Sequence, residues 1–468
     1  MISPVGQRRP AAAPSRRAAE AALPQSSSPR PAHEDFDRAQ DTLARLRARH
    51  AAGGWGRLRL LWLIVGPGVL VFLGENDAPS MLSYAATGAR FGIGFFLPFV
   101  AATFLVGFVV QEMAARVGAA ASHGHAELIY ARFGRFWGNF AMADLMIGNL
   151  LTLVTEFIGI RAGLGYFGVP PLLAVGIGIA LVVGLAGTSR YWTWERITLG
   201  LALGNAVFVP VALLAKPDWG AVGHAFVSWG PLPGGVTPDA VLLMVADVGA
   251  TVTPWMLFFQ QGATADKGLA PGDIGGARID TALGAALAAL FGIAGILAAT
   301  PLFHHGISAA DWQAAQFAEA LAPHIGSVGA ALFALGIFEA GLVAAVTIST
   351  SSAYAFGEVA RRAHSLNAPV REAWPFYLVL VGSALFAGAV VLIPGAPLET
   401  IVLLVNVIAT LAMPPALLFL LLLANDAEVM GPYRNTAAWN VAGIGVTVLL
   451  VLCGLAYGVS VVAPGVFG

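Results

Sequence analysis

The sequence predicts an all-α, polytopic membrane protein of about eleven transmembrane helices, two of them interrupted within the membrane. Three observations lead there. The 468 residues are 57% hydrophobic and 11% charged, with a mean hydropathy of +0.77, whereas soluble domains carry roughly 25% charge. Apolar runs of spanning length follow one another along most of the chain. Two of these runs are broken by glycine, proline and acidic residues, a combination that rarely persists at membrane depth without a function.

Residues 1–56 differ from the rest. They are rich in Ala, Arg, Ser and Pro, and read as a disordered cytoplasmic tail. An Arg- and Ser-rich start also suits a transit peptide, but Glu34, Asp35, Asp37 and Asp41 argue against it. His33 to Arg49 is expected to form a short amphipathic helix. Residues 57–468 read as a single transmembrane domain.

Its apolar segments run roughly 58–88, 92–117, 137–165, 171–188, 195–215, 238–262, 276–301, 326–356, 374–394, 398–424 and 437–463. Their orientation follows from Lys and Arg placement. The tail through Arg59 holds 11 basic residues, and alternate loops hold another 11, including Arg190, Lys267 and Arg278. The opposite loops hold only Arg90 and Lys216, and Arg161 lies within a segment. The amino terminus is therefore expected in the cytoplasm and the carboxyl terminus outside, in a bacterial inner membrane.

The first break reads Gly74-Glu75-Asn76-Asp77-Ala78-Pro79-Ser80. Proline removes a backbone donor and interrupts the helical ladder, freeing carbonyls that lipid cannot satisfy. A carboxylate at such a break is a ready ion site. The second, in the sixth segment, reads Asp247-Val248-Gly249-Ala250-Thr251-Val252-Thr253-Pro254-Trp255. Its spacing of five segments suggests two inverted five-helix repeats, about 58–215 and 238–424, plus an extra helix at 437–463. Breaks at matching positions in two halves point to a binding site between them.

Around these motifs the chain resembles the Nramp family of divalent-metal transporters, which have a LeuT-like fold. Gly66-Pro67-Gly68 followed by Asp77 is similar to the family's first helix. Gln111 to Gly118, Thr155 to Gly159, Ala215 to Trp219 and Asn425 to Asn435 also look like family stretches. Two departures stand out. The family's DPGN motif reads DAPS here, with Ser80 in place of asparagine. Its MPH motif reads TPW, with Thr253 for methionine and Trp255 for histidine. Together with Glu75 and the stretch Ser352-Ala353-Tyr354-Ala355, these departures look more like the Nramp-related magnesium transporters.

Methionine is a soft ligand that favours transition metals. Its absence leaves oxygen donors: the carboxylates of Asp77 and Glu75, the hydroxyls of Ser80 and Thr253, and carbonyls near Gly74 and Ala250. Mg²⁺ suits one or two carboxylates with retained water, and Mn²⁺ also accepts oxygen; Mg²⁺ is the preferred reading. The cation is cargo, so no cofactor is implied. Partners are the divalent ion and the bilayer, with no nucleic acid and no ATPase subunit; no Walker loop is visible and net charge is −1.

Secondary candidates for the permeation path or a proton relay are Glu156, Asp247, Asn406 and Glu339. Glu156 is read either as a relay or as the partner of Arg161. Because the sixth-helix histidine is missing, proton coupling is open. Entry driven by the membrane potential alone would gain ~4.6 kcal/mol per 100 mV for a divalent ion. Glu112 and Arg116 read as an i, i+4 pair; His123-Gly124-His125 with Glu127 is a weak metal motif. The single Cys453 excludes an intrachain disulfide. No HExxH, GxS or paired-aspartate signature marks an enzyme. Rival readings are a proton-coupled Mn²⁺/Fe²⁺ importer and a LeuT-like carrier for an organic amine or amino acid.

Overall fold

With no water to pair its backbone in a bilayer, a spanning chain must close its hydrogen bonds within each segment. The computed structural model describes residues 31–50, 63–305, 314–396 and 398–462, and there every regular element is a helix. In chain order these are α1 (Pro31–His50), α2 (Pro67–Glu75), α3 (Ala78–Phe91), α4 (Phe96–Ala121), α5 (His125–Phe133), α6 (Arg135–Gly165), α7 (Pro171–Ala186) and α8 (Tyr191–Ala202). A 3₁₀ segment, Leu203–Val207, joins α8 to α9 (Phe208–Leu214), and α10 (Trp219–Ser228) follows. The second half holds α11 (Pro238–Gly249), α12 (Pro254–Asp266), α13 (Ile274–His304), α14 (Ala314–Ala360), α15 (Trp374–Val391), α16 (Leu398–Asn425), α17 (Ala427–Met430) and α18 (Ala437–Val462).

Among the described residues, nine helical stretches are long and apolar enough to cross a membrane. Two expected spans are not among them, each for a physical reason. The first is cut at Asn76-Asp77 into α2 and α3, each too short alone. The fourth, α7, has only 16 residues. The eighth begins where expected: Gly326, at φ 78, kinks α14 there.

Capping places the breaks. Asp77 is the N-cap of α3, with Pro79 in its first turn. Thr237 caps α11 by accepting from Ala240 N, and Pro254 opens α12 after extended Thr253. The long helix α14 packs along α6, while α13 runs against α2, α3 and α4. The half-helices are thus enclosed by α6, α13 and α14, and the first break lies in the buried core.

The short helix expected in the tail is present as α1. Ala39 and Leu43 are buried, and Leu43 joins Ala115, Ala119, Leu269, Ile274 and Ala277 in a separate apolar cluster. The rest of the tail read as disordered, residues 1–30 and 51–56, lies outside the described residues.

Candidate cation site

The two breaks meet. Asp77 Oδ1 accepts from Ser80 N at 2.8 Å, and the Ser80 hydroxyl reaches the same carboxylate. Glu75 ends α2. Between them, Asn76 Nδ2 donates to Ala288 O at 2.9 Å and pins the break to α13. Across the gap, Thr253 Oγ1 donates to Glu75 Oε2 at 2.8 Å. Glu75 Oε1 and the Trp255 indole nitrogen are both buried without a close hydrogen bond, although the indole N–H lies near enough to the Glu75 carboxyl to act on it electrostatically. Glu75, Asp77, Ser80 and Thr253 are 0%, 3%, 1% and 6% exposed. A carboxylate oxygen buried without a donor is costly unless a proton or a cation compensates it.

A third carboxyl, that of Glu156, stands beside Asp77. Glu156 Oε2 accepts from Ala78 N at 3.2 Å, one of the unpaired donors at the start of α3, where the helix dipole favours negative charge. The carboxyl groups of Asp77 and Glu156 also lie within hydrogen-bonding reach of each other. Carboxylates that close repel unless a proton or a cation lies between them. The alternative reading of Glu156, a pair with Arg161, is not what forms: Arg161 Nη1 donates to Val391 O at 3.0 Å. Arg161 is carried to the opposite side of α6, since five residues turn a helix by well over one turn.

The remaining expected positions divide. Gly74 lies against Thr347 and Trp255; a Cβ there would stand 2.8 Å from Thr347 Oγ1 and 3.2 Å from Trp255 Cη2. The Ala250 carbonyl, which Pro254 leaves without a helical donor, accepts from the Tyr84 hydroxyl at 3.0 Å. Asp247 accepts from Ser83 Oγ at 2.7 Å and Thr87 Oγ1 at 3.0 Å, which ties α11 to α3. Glu339 is on α14, against Gly204 of the 3₁₀ segment, and both its carboxyl oxygens are buried without a partner. Asn406 lies in α16, and its side chain is outside what the structure describes.

Several groups here were not singled out from sequence. Thr347 faces Gly74, and Ser351, one turn on, donates to Trp255 O at 3.0 Å. Asn205 Nδ2 donates to Leu73 O at 3.0 Å, taking a carbonyl that the first break frees. Thr103 and Thr251 are hydrogen-bonded at 2.8 Å beside Tyr84. The run of hydroxyl residues from Thr347 to Ser352 inside an apolar helix was the signal available for the first two.

The other polar clusters are structural. Glu112 pairs with Arg116 at 3.1 Å as expected and also with Arg278 at 2.5 Å, joining α4 to α13. His123 and Glu127 pair with each other at 3.0 Å. His125 is fully buried against Gln261 and Phe258, and burial lowers its pKa to about 4. Among the described residues, no three His, Cys, Asp or Glu side chains converge as a ready-made metal cluster.

Discontinuous helices enclosing a buried acidic site define an integral membrane transporter of LeuT-like architecture. The chain belongs to the Nramp family: residues 68–460 match the family described as natural resistance-associated macrophage protein-like. That family comprises membrane transporters of metal ions, not enzymes. Among its relatives, the divalent metal cation transporter MntH of Aeromonas hydrophila is 25% identical, covering 81% of this chain and 91% of the relative. MntH 1 of Pseudomonas aeruginosa is 27% identical over 83% and 90%. In fold, the chain is similar to the Eremococcus coleocola manganese transporter, with TM-score 0.70 at 20% identity over 88% and 90%. It is also similar to MhsT bound to L-phenylalanine, with TM-score 0.52 at 15% identity over 84% and 98%.

Proposed function

We propose that this protein imports divalent metal cations by alternating access, with Mg²⁺ as its preferred cargo. The observation that carries this is the pairing of Glu75 with Thr253 across the two breaks, two residues from Asp77. It gathers two carboxylates and hydroxyls where relatives of the resembled motif place a soft methionine. Asp77, Glu75, Ser80 and Thr253 are the proposed ligands, with the last-turn carbonyl of Gly74; the Ala250 carbonyl is a weaker member because Tyr84 already uses it. An incoming cation satisfies Glu75 Oε1, keeps several waters and needs no third carboxylate. The asymmetry of basic residues supports a cytoplasmic amino terminus and an external carboxyl terminus, and the bacterial relatives support an inner-membrane location.

Proton-coupled import of Mn²⁺ or Fe²⁺ is the second reading. The names of the MntH relatives support it, as does the closeness of Asp77 to Glu156, which a proton can bridge when the cation leaves. An organic amino acid fits less well, because its carboxylate would face Glu75 and Asp77. Uptake by proteoliposomes carrying the full chain separates the readings. The proposal expects Mg²⁺ entry and competition by Mg²⁺ against Mn²⁺; Mn²⁺ or Fe²⁺ entry indifferent to millimolar Mg²⁺ would overturn the hard-cation preference.

A further inference from the structure

Histidine binds metals best when a hydrogen bond at one ring nitrogen fixes the other as an open acceptor. That condition is met at the end of α13. His305 is its C-cap, and His305 Nδ1 lies 2.7 Å from Pro301 O, one turn back. A carbonyl can only accept, so Nδ1 carries the ring proton and Nε2 keeps the lone pair. The residue is exposed. Against it lies His324 of α14, half-buried, with ring centres 4.3 Å apart and planes inclined at 42°. Among the described residues the His324 ring makes no hydrogen bond and no ion pair.

The backbone adds to the attraction for a cation. Helix α13 stops at His305, and Gly326, at φ 78°, ends the first stretch of α14 just after His324. Each helix end leaves carbonyls unpaired and carries the negative end of a dipole. The two imidazoles therefore stand where two helix C-termini come together. Two such rings on one ion, with metal–nitrogen bonds of about 2.0–2.1 Å, have centres roughly 4–5 Å apart, so the pair is already at the required spacing. Imidazole suits Zn²⁺, Ni²⁺ and Cu²⁺, while Mg²⁺ prefers oxygen. Water completes the coordination at this exposed place.

We propose that His305 and His324 form a two-imidazole site for a borderline divalent transition cation (Zn²⁺, Ni²⁺ or Cu²⁺), and that filling it slows transport by tying α13 to α14. The site lies at the far end of α13 from Ile274, which packs with Leu43 of α1. The orientation proposed above puts that end outside the cell. Both helices reach the cation site. Ala288 O of α13 holds Asn76 at the first break, and α14 brings Thr347 and Ser351 to Gly74 and Trp255. Alternating access moves the parts around a site against one another. A metal bridging α13 and α14 at their ends resists that movement. The inference does not depend on which ion is carried.

The test reads binding apart from transport. Untagged full-length protein with Asp77→Asn, which disables the proposed cargo site, is titrated with Zn²⁺ by calorimetry and with Cu²⁺ by electron paramagnetic resonance, both in excess Mg²⁺. His305→Ala and His324→Ala are each expected to weaken Zn²⁺ binding by about tenfold or more, and to remove the imidazole-nitrogen splitting from one bound Cu²⁺. Unchanged affinity in either folded variant would overturn the shared site. In sealed vesicles with Asp77 intact, external Zn²⁺ should slow cation uptake, and His324→Ala should abolish the slowing. Inhibition that persists in His324→Ala would overturn the tie between α13 and α14. Because calorimetry involves no transport, failure of the Mg²⁺ reading would leave the binding result interpretable. Should one variant not fold, the other carries the same readouts and keeps the same outcomes decisive.

Discussion

Thr253 Oγ1 donates to Glu75 Oε2 at 2.8 Å, so the two helix breaks, 178 residues apart in sequence, are joined by a hydrogen bond. Each break leaves backbone groups unpaired, and each supplies a side chain that the other needs.

Asp77 both caps α3 and faces the proposed ion. Asp77→Ala removes the ligand and the cap together, so the cap cost is about 1 kcal/mol of stability. Asp77→Asn keeps an acceptor for Ser80 N and isolates the charge. Divalent uptake by both variants is expected to fall to background in protein that still inserts and elutes as a single species. Wild-type uptake by Asp77→Asn would remove Asp77 from the site.

Thr253→Met places a thioether beside Glu75 and deletes the hydroxyl that now satisfies Oε2. A soft donor shifts preference toward soft ions. Competition assays should show Cd²⁺ and Mn²⁺ gaining on Mg²⁺ by about tenfold or more, the scale of one ligand interaction of 1.4 kcal/mol. An unaltered ranking of ions would place Thr253 outside the coordination sphere.

Glu156 shares its surroundings with Asp77 and the Ala78 amide. Glu156→Gln keeps an acceptor for Ala78 N but cannot exchange a proton. If proton transfer accompanies the cation, this variant retains metal binding while losing acidification-linked flux, measured with a pH dye inside vesicles. Proton flux equal to wild type would assign Glu156 a structural role only.

His125 gives a stability signature outside the membrane spans. Its folded pKa, about 4, lies below the unfolded value near 6.5 because burial penalises the charged ring. The unfolded chain therefore binds the extra proton first as pH falls. His125 stabilisation is complete above pH 6.5 and is lost as pH drops from there to about 4, at most about 3 kcal/mol. Comparing thermal unfolding of wild type and His125→Gln across that window isolates the effect; parallel curves would refute it.

Close packing at the first break offers a steric test. A Cβ on Gly159 would come within 2.2 Å of Ala78 Cβ. Gly159→Ala should displace α6 from the break, destabilise the protein by about 1–3 kcal/mol, and weaken ion binding by pushing Ala78, and with it Asp77, out of place. Full affinity in the variant would show that the position of Asp77 does not depend on this contact.

Periodic apolar length and proline and glycine placement determined the helical membrane class, the segment list and the two breaks, and marked Asp77 as the proposed centre of the site, because each is a local property of the chain. Tertiary structure decided the rest. Glu156 turned to Asp77 and Ala78 instead of Arg161, since partner choice depends on which side of α6 faces the break. The Ala250 carbonyl met Tyr84, and Thr347 and Ser351 arrived from a helix nearly a hundred residues further along. Gly66 and Gly68 acquired their meaning only from Glu195, Lys267 and Asp280, three residues that no local pattern connects. A sequence shows which groups a bilayer cannot tolerate unpaired; packing determines which partners relieve them.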